Sequence, residues 1–357
     1  MMKMKKILGV LVLSITFLTL AACGGVESNT TDDGSKVYEL NLNVSAAPTS
    51  PFNVNVAEPW AEYVEKETDG VVKVNVFPSA ALGSLATSFD DVNAGVYEAG
   101  LVPPGLHVDT DLFPLTIADT PFLVNSPEVA QKVVTQFVDQ FMKDSFVEGT
   151  FMGVSSTDSY QIYSTNPIQS VEDLNNQKLS DSVAARLELF KQLGAVPVSL
   201  DNTALYESLE RGVVDSVAYT AVGANGYKLS EVAPYMTKVD LAVSVLPFFI
   251  NTNFLDSLPE EIKQQFVDDF GPKYADLMTE LYTSSAEEGI KIYEEAVKDK
   301  GGAVYEPTAE EMEEFKAPVK KQMENWVNEA NKRGYNGQEM MDYFVELLES
   351  AGVQVPK

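Results

Sequence analysis

The chain has 357 residues and a formal net charge of −28, with 53 acidic side chains against 25 lysines and arginines. That balance argues against nucleic acid as a partner, since phosphate binding needs a basic face, and it reads as a solvated surface that favours solubility. With one cysteine and one histidine in the whole chain, a disulfide framework and a thiolate metal site are excluded, and a Ser/His/Asp triad would depend entirely on His107.

At the N-terminus Lys3, Lys5 and Lys6 precede an apolar run, Ile7 to Leu20, that is too short to span a bilayer. This is the layout of a cleaved export signal. The segment ends Leu20-Ala21-Ala22-Cys23-Gly24, which resembles a bacterial lipoprotein cleavage box. Residues 1–22 are therefore expected to be a lipoprotein signal peptide, and Cys23 the lipidated first residue of a membrane-anchored protein facing the extracytoplasmic side. The alternative is an ordinary thiol behind an ordinary signal peptide. Residues 23–36, which include ESNTTDDGSK, are polar and without periodicity, so they read as a flexible tether.

From Val37 the pattern is strand (YELNLNVSA), helix (VAEPWAEYVEKETDG), strand (VVKVNVF) and a helix ending at Gly95. Further on, a helix ends at Gly194 and Val196 to Leu200 reads as a strand. Thr203 is placed to cap a second helix that stops at Gly212, and Val213 to Tyr219 is another strand. This βαβ unit predicts parallel strands in an open α/β sheet. Past Pro259 the chain is mostly helical, and Ala275 to Lys298 is long enough to cross more than one lobe. The chain beyond the tether exceeds the length that one hydrophobic core usually serves, so two lobes are expected.

Five segments carry a resemblance to the extracytoplasmic solute-binding proteins of TRAP transporters, the DctP-like family. Leu193 to Asp215 (LGAVPVSLDNTALYESLERGVVD) is similar to the family's LGA-x-P, helix and GVVD-G; VVKVNVFPSAALG to its strand and FP-x-x-x-LG; FPLTIADTPFL to FP-l-x-x-x-PFL; PIQSVEDL to PI-x-t-x-eDL; and SLPEE to its LP-x-E helix start. The resemblance implies an α/β, two-lobed periplasmic-binding-protein-like fold with a ligand cleft between the lobes and a long helix crossing both. It implies lobe I from 37–157 and 246–286, lobe II from 158–245 and 287–357, and crossings near Asp158 and Val245. It also implies capture of a small organic ligand and its delivery to TRAP membrane permease subunits, with no enzyme activity, metal or cofactor. A sensory lipoprotein presenting its ligand to a membrane kinase, and a surface hydrolase or adhesive lipoprotein, remain the alternatives.

Departures from the family bear on the ligand. Carboxylate-binding members carry an arginine in a K-I-R-like triplet, where this chain has Lys178-Leu179-Ser180. A second arginine used by some sialic-acid-binding relatives aligns with Tyr160, and the family's frequent asparagine with Tyr219. Of the three arginines, Arg211 reads as a helix C-terminal charge and Arg333 as part of a polar turn. Arg186 falls within the apolar stripe Val183, Leu187, Phe190 and Leu193 in the first turn of its helix, so it either points into the cleft or snorkels at the lobe edge. Asp201 and Asn202 align with pocket-lining positions, or form a polar strand-to-helix turn. Tyr160 and Tyr219 either offer aromatic faces to ligand or pack within a lobe. The candidate ligand-binding set is thus Tyr160, Ser180, Arg186, Asp201, Asn202 and Tyr219. Simple dicarboxylates are disfavoured, and an aromatic, neutral or amine-bearing ligand is expected, any anionic group lying near Arg186.

Overall fold

A computed structural model describes residues 36–356, which form two sheets flanked by helices. The first sheet has the order β2-β1-β3-β10-β4, built from β1 (Tyr38–Asn43), β2 (Val72–Phe77), β3 (Ala99–Leu101), β4 (Gly149–Ser156) and β10 (Val245–Asn251). The second has the order β11-β9-β5-β8-β6-β7, from β5 (Tyr160–Ser164), β6 (Lys178–Asp181), β7 (Val196–Ser199), β8 (Ser216–Thr220), β9 (Tyr235–Thr237) and β11 (Ala303–Tyr305). Alternation sets the inward face of β1, where Leu40 and Leu42 are fully buried. Every residue of β10 is buried, as a strand covered on both faces requires.

Helices α1 (Glu58–Glu67), α2 (Ser88–Ala94) and α3 (Pro127–Phe141) belong to the first part of the chain; α4 (Ala184–Gln192), α5 (Leu205–Glu210) and α6 (Ala221–Gly226) accompany the second sheet. After β10 come α7 (Thr252–Ser257), α8 (Glu260–Gln265), the long α9 (Gly271–Lys298), and then α10 (Ala309–Lys316), α11 (Val319–Lys332) and α12 (Gly337–Ser350). In α1, Trp60 is fully buried and donates its indole N–H to the Phe270 carbonyl at 2.7 Å. The second tryptophan, Trp326, also packs inside the fold, stacking on Phe113 at 5.8 Å between ring centroids.

The chain passes between the sheets twice, through 157–159 and 238–244, and these segments run side by side. Thr157 N–H donates to the Ser244 carbonyl (3.0 Å) and Tyr160 N–H to that of Ala242 (2.8 Å), while Leu241 N–H donates to the Tyr160 carbonyl (3.0 Å). Helix α9 is a third link, about 42 Å long at 1.5 Å per residue. Its first turn lies against β4, where the pairing with β10 shifts register opposite Phe248 and Phe249 and the positive φ of Gly153 (153°) allows close approach; a Cβ on Gly153 would stand 3.4 Å from the Gly271 carbonyl oxygen. Its far end lies on the second sheet's helices, Gly289 against Ala221 and the Tyr293 hydroxyl donating to the Ala233 carbonyl.

One expectation is corrected. Thr203 is not the cap: Asp201 Oδ1 accepts from the Thr203 N–H at 2.9 Å and hydroxyl at 2.6 Å, so a 3₁₀ turn (Asn202–Ala204) opens first and α5 starts at Leu205. The carboxylate two residues earlier takes both the N–H and the hydroxyl of Thr203 and so caps the 3₁₀ turn itself. The βαβ unit has the parallel strands expected of it: β7 and β8 are both parallel to β6 and lie on either side of it, so the connection passes across β6. The C-terminal helices, which the resemblance places with lobe II, touch both parts. Phe344 meets Phe137 of α3 edge-on at 5.6 Å, while α11 also lies against α4 and α10 against the turn Val171–Leu174.

Close packing of α9 on α6 generates a prediction. A Cβ at Gly289 would lie 3.2 Å from Ala221 Cβ and 3.3 Å from the Val222 nitrogen, whereas Gly226 has nothing within 4 Å. Gly289→Leu is expected to destabilise by about 1–3 kcal/mol through overpacking. Gly226→Ala, at the last position of α6, is expected to leave the melting temperature unchanged or raise it. Thermal unfolding of the two variants checks the contrast.

Candidate ligand site

The site grows from the turn that joins β6 to α4. At the strand's end Asp181 accepts the Val183 N–H through Oδ1 at 2.7 Å, which starts the helix, and accepts Arg186 Nε through Oδ2 at 2.7 Å. Arg186, in the first turn of α4, is fully buried, and its guanidinium carbon stands 4.1 Å from the centroid of the Tyr160 ring. Snorkelling is therefore ruled out. One carboxylate and one aromatic face fix the plane of the guanidinium, while Nη1 and Nη2 have no hydrogen-bond partner. Burial works to lower this group's proton affinity, but Asp181, with Tyr160 and Asp119, holds it above the ordinary arginine value.

Tyrosines form the adjoining wall. Tyr160 opens β5, is 5% exposed, and its hydroxyl accepts from Ser244 Oγ at 3.2 Å. Tyr219 of β8, which pairs with Gln161 across β5–β8, meets the Tyr160 ring edge-on at 5.9 Å, and Tyr227 stands 5.8 Å beyond. Behind Tyr219 is Gly223, where a Cβ would come within 2.3 Å of the ring, so only glycine leaves that tyrosine in place. Burial raises the hydroxyl pKa of Tyr160, Tyr219 and Tyr282 of α9, and keeps all three neutral.

Three buried carboxyl groups border this cluster. Asp181 is engaged by the Val183 N–H and Arg186 Nε. Asp158, in the first crossing segment, accepts the N–H groups of Ala221 (2.8 Å) and Val222 (3.3 Å) at the start of α6; burial pushes its pKa up to about 6, and Oδ1 has no partner. Asp119 ends the 3₁₀ segment Phe113–Asp119, and burial pushes it up to about 7, with Arg186 pulling down and Asp181 pushing up. Its Oδ2 is also without a partner.

Of the residues expected from sequence, Tyr160, Arg186 and Tyr219 come together. Ser180 is fully buried in β6 next to Asp181, with its hydroxyl unpartnered. Asp201 is exposed and held by Thr203, which also lowers its pKa, so it stands in the strand-to-helix turn with Asn202 following. Asp119, Asp158, Asp181 and Tyr282 were not expected. A signal for Asp119 existed, since it is the one acid in the apolar run FPLTIADTPFL.

Chemistry elsewhere differs. Among the described residues no group of three or more His, Cys, Asp and Glu side chains is arranged to hold a metal ion. His107 Nε2 lies 2.9 Å from the Leu85 carbonyl and 3.1 Å from Ser88 Oγ, and burial lowers its pKa. An open surface cavity of about 410 Å³ lies beside Asp90, Asp111, Phe113 and Arg333. Its arginine is paired with Asp109 and Glu329, both at 3.0 Å, and donates to the Val108 carbonyl at 2.6 Å, so that cavity lacks the unpartnered guanidinium nitrogens found at Arg186.

Comparison with known proteins agrees with this architecture. Residues 42–330 match the family described as bacterial extracellular solute-binding protein, family 7. A curated relative, the outer membrane transporter protein TsaT of Comamonas testosteroni, is 26% identical over 85% of this chain and 90% of its own length. Two solved structures share the fold. A marine metagenome TRAP solute-binding protein specific for aromatic acid ligands, in complex with metahydroxyphenylacetate, has a TM-score of 0.80 at 22% identity, over 88% of this chain and 99% of its own. A TRAP solute-binding protein from Rhodoferax ferrireducens with copurified benzoate has a TM-score of 0.79 at 19% identity, over 87% of this chain and 98% of its own. With its two sheets, its crossing segments and the family match spanning most of its length, the chain belongs to family 7 of the bacterial extracellular solute-binding proteins and is an extracytoplasmic solute-binding protein of the TRAP type.

Proposed function

We propose that this receptor captures a small monocarboxylic acid with a flat, unsaturated body and delivers it unchanged to the membrane subunits of a TRAP permease. The observation that carries the reading is Arg186, fully buried with Nη1 and Nη2 unpartnered. A buried donor without an acceptor costs about 1–3 kcal/mol, more when charged, and a carboxylate accepting two parallel N–H bonds removes that cost. Tyr160 and Tyr219 then provide apolar faces for the rest of the molecule. The aromatic acids held by the two structural neighbours fit the same division of labour.

Charge limits the ligand further. Asp119 and Asp181 border Arg186, the one buried arginine or lysine among the described residues, and Asp158 lies near Tyr160, so a second carboxylate on the ligand would face acidic groups and tyrosine rings with no second buried arginine to meet it. Simple dicarboxylates are therefore disfavoured, although other family members are read as carrying a clamp for them. Residues 37–157 with 246–286 and 158–245 with 287–357 act as the two lobes, hinged at the paired crossing segments. Because Arg186 and Tyr160 are 0% and 5% exposed, the lobes must part for ligand to enter.

Lipid anchoring through Cys23 after removal of residues 1–22 completes the proposal; both features lie outside the described residues. Among the described residues no helix is long and apolar enough to cross a membrane.

Three outcomes are expected. In calorimetry, benzoate binds at least tenfold more tightly than succinate or malate, and Arg186→Ala weakens benzoate binding by roughly a hundredfold, the worth of two charge-assisted bonds. Micromolar succinate binding that survives Arg186→Ala would show that another site holds the anion. In small-angle scattering, saturating benzoate lowers the radius of gyration, and an unchanged curve argues against closure. Cys23→Ala releases the protein from the membrane fraction, whereas retention there contradicts the anchor.

A further inference from the structure

Arg186 is approached from two directions by carboxyl groups, and the two are not equivalent. Asp181 lies on the same turn and bonds Nε directly. Asp119 comes from a different element, the end of the 3₁₀ segment Phe113–Asp119, is 3% exposed, and forms neither an ion pair nor a hydrogen bond with Nη1 or Nη2. Its Oδ2 has no partner and is walled by Gly105 and by Val183, the residue that precedes α4: a Cβ built on Gly105 would sit 2.9 Å from Oδ2 and 3.2 Å from Val183 Cγ2. An unpartnered carboxyl oxygen and the unpartnered end of a guanidinium thus occupy one buried neighbourhood.

Charge counting says what happens there when an acid arrives. Arg186 carries one positive charge and Asp181 already balances it. A ligand carboxylate on Nη1 and Nη2 would make the group anionic, and an ionised Asp119 would add a second excess charge in a site closed to water. Two carboxyl groups crowded in this way do not both stay ionised, and one takes a proton that the two share through a short O–H···O⁻ bond.

We propose that Asp119 is a second ligand-reading residue, which takes up a proton from solvent on capture and donates it as a hydrogen bond to the carboxylate held by Arg186. Acid binding is then proton-linked. The proposal rests on Arg186 as the carboxylate site. Among the described residues the charged groups facing Asp119 are Arg186 of α4 and Asp181 of β6; its own segment, FPLTIAD, brings no other, and Gly105 and Val183 bring none. Burial has already moved Asp119 up to about 7 in the free protein, and a neighbouring ligand carboxylate pushes it in the same direction. Below that value the proton is present before binding and affinity is flat, and above it each pH unit costs up to tenfold in affinity.

The test is calorimetry of benzoate binding to the full mature chain at pH 6 and pH 8, in buffers with small and large ionisation heats. Uptake of about one proton at pH 8, little at pH 6, and affinity about tenfold weaker at pH 8 are the expected results. Asp119→Asn, which keeps a hydrogen-bond donor, is expected to bind with no proton uptake and a flat profile. Wild-type binding without proton uptake at pH 8, or uptake undiminished in a folded Asp119→Asn protein, would overturn the proposal while leaving Arg186 as the anion site. Failure of the wild type to bind benzoate at pH 6 would instead remove the carboxylate reading and the proposal with it.

Discussion

The contact between Asp181 and Arg186 fixes the chemistry of the cleft. Taking a guanidinium fully out of water costs several kcal/mol unless its charge and its donors are met, and here one carboxylate at 2.7 Å and the face of Tyr160 at 4.1 Å meet only part of the need. Because Asp181 also bonds the Val183 N–H, the same side chain that orients the arginine sets the first turn of α4. The cation cannot relax toward solvent without undoing the start of its own helix. It is held rigid, dry and incompletely satisfied, the condition under which a ligand carboxylate gains most.

Around that pair the two sheets are joined so that the site is shared between them. Tyr160 is both the first residue of β5 and the end of the crossing ribbon, exchanging backbone bonds with the 238–244 segment. Asp158, two residues earlier, holds the N-terminus of α6, and α6 supplies Gly223, which backs Tyr219. Ala221 of the same helix packs on Gly289 of α9, whose other end rests on β4. Movement of one lobe against the other therefore reaches the aromatic wall through short, named contacts. In the proposed reading, ligand in turn joins Asp119 of the first segment to Arg186 of the second.

Local signals in the sequence located much of this. Alternation identified β1 and β2, Gly95 marked the end of α2 with its positive φ of 66°, and periodicity put Arg186 in the apolar stripe of α4 while leaving open whether it snorkelled, which its full burial decides. What escaped was decided by contacts distant in sequence. Asp201 took the capping role from Thr203 through a geometry that spacing leaves open between neighbouring polar residues. Asp119 and Asp158 are 67 and 28 positions from Arg186, and no local pattern says that their carboxyl groups are enclosed beside it. The C-terminal helices followed aromatic partners, Phe113 and Phe137, that only the folded chain brings to Trp326 and Phe344.

The loss of an arginine at Ser180 has a different meaning once the fold is known. Along the chain, Lys178-Leu179-Ser180 says that the expected carboxylate clamp is gone. In three dimensions a guanidinium is present, contributed by the following helix and turned back over Asp181 onto Tyr160. What a bidentate anion site requires is a fork of N–H groups held at a fixed angle in a dry place, and neither the strand nor the residue number enters that requirement. Moving the cation to α4 also changes its company: it now lies between an aromatic face and two carboxyl groups, Asp181 and Asp119, which in the proposed reading leaves room for one anionic group and disfavours a second. In the proposed reading, a shift of the arginine from strand to helix turns the preference from dicarboxylates toward singly charged, flat acids.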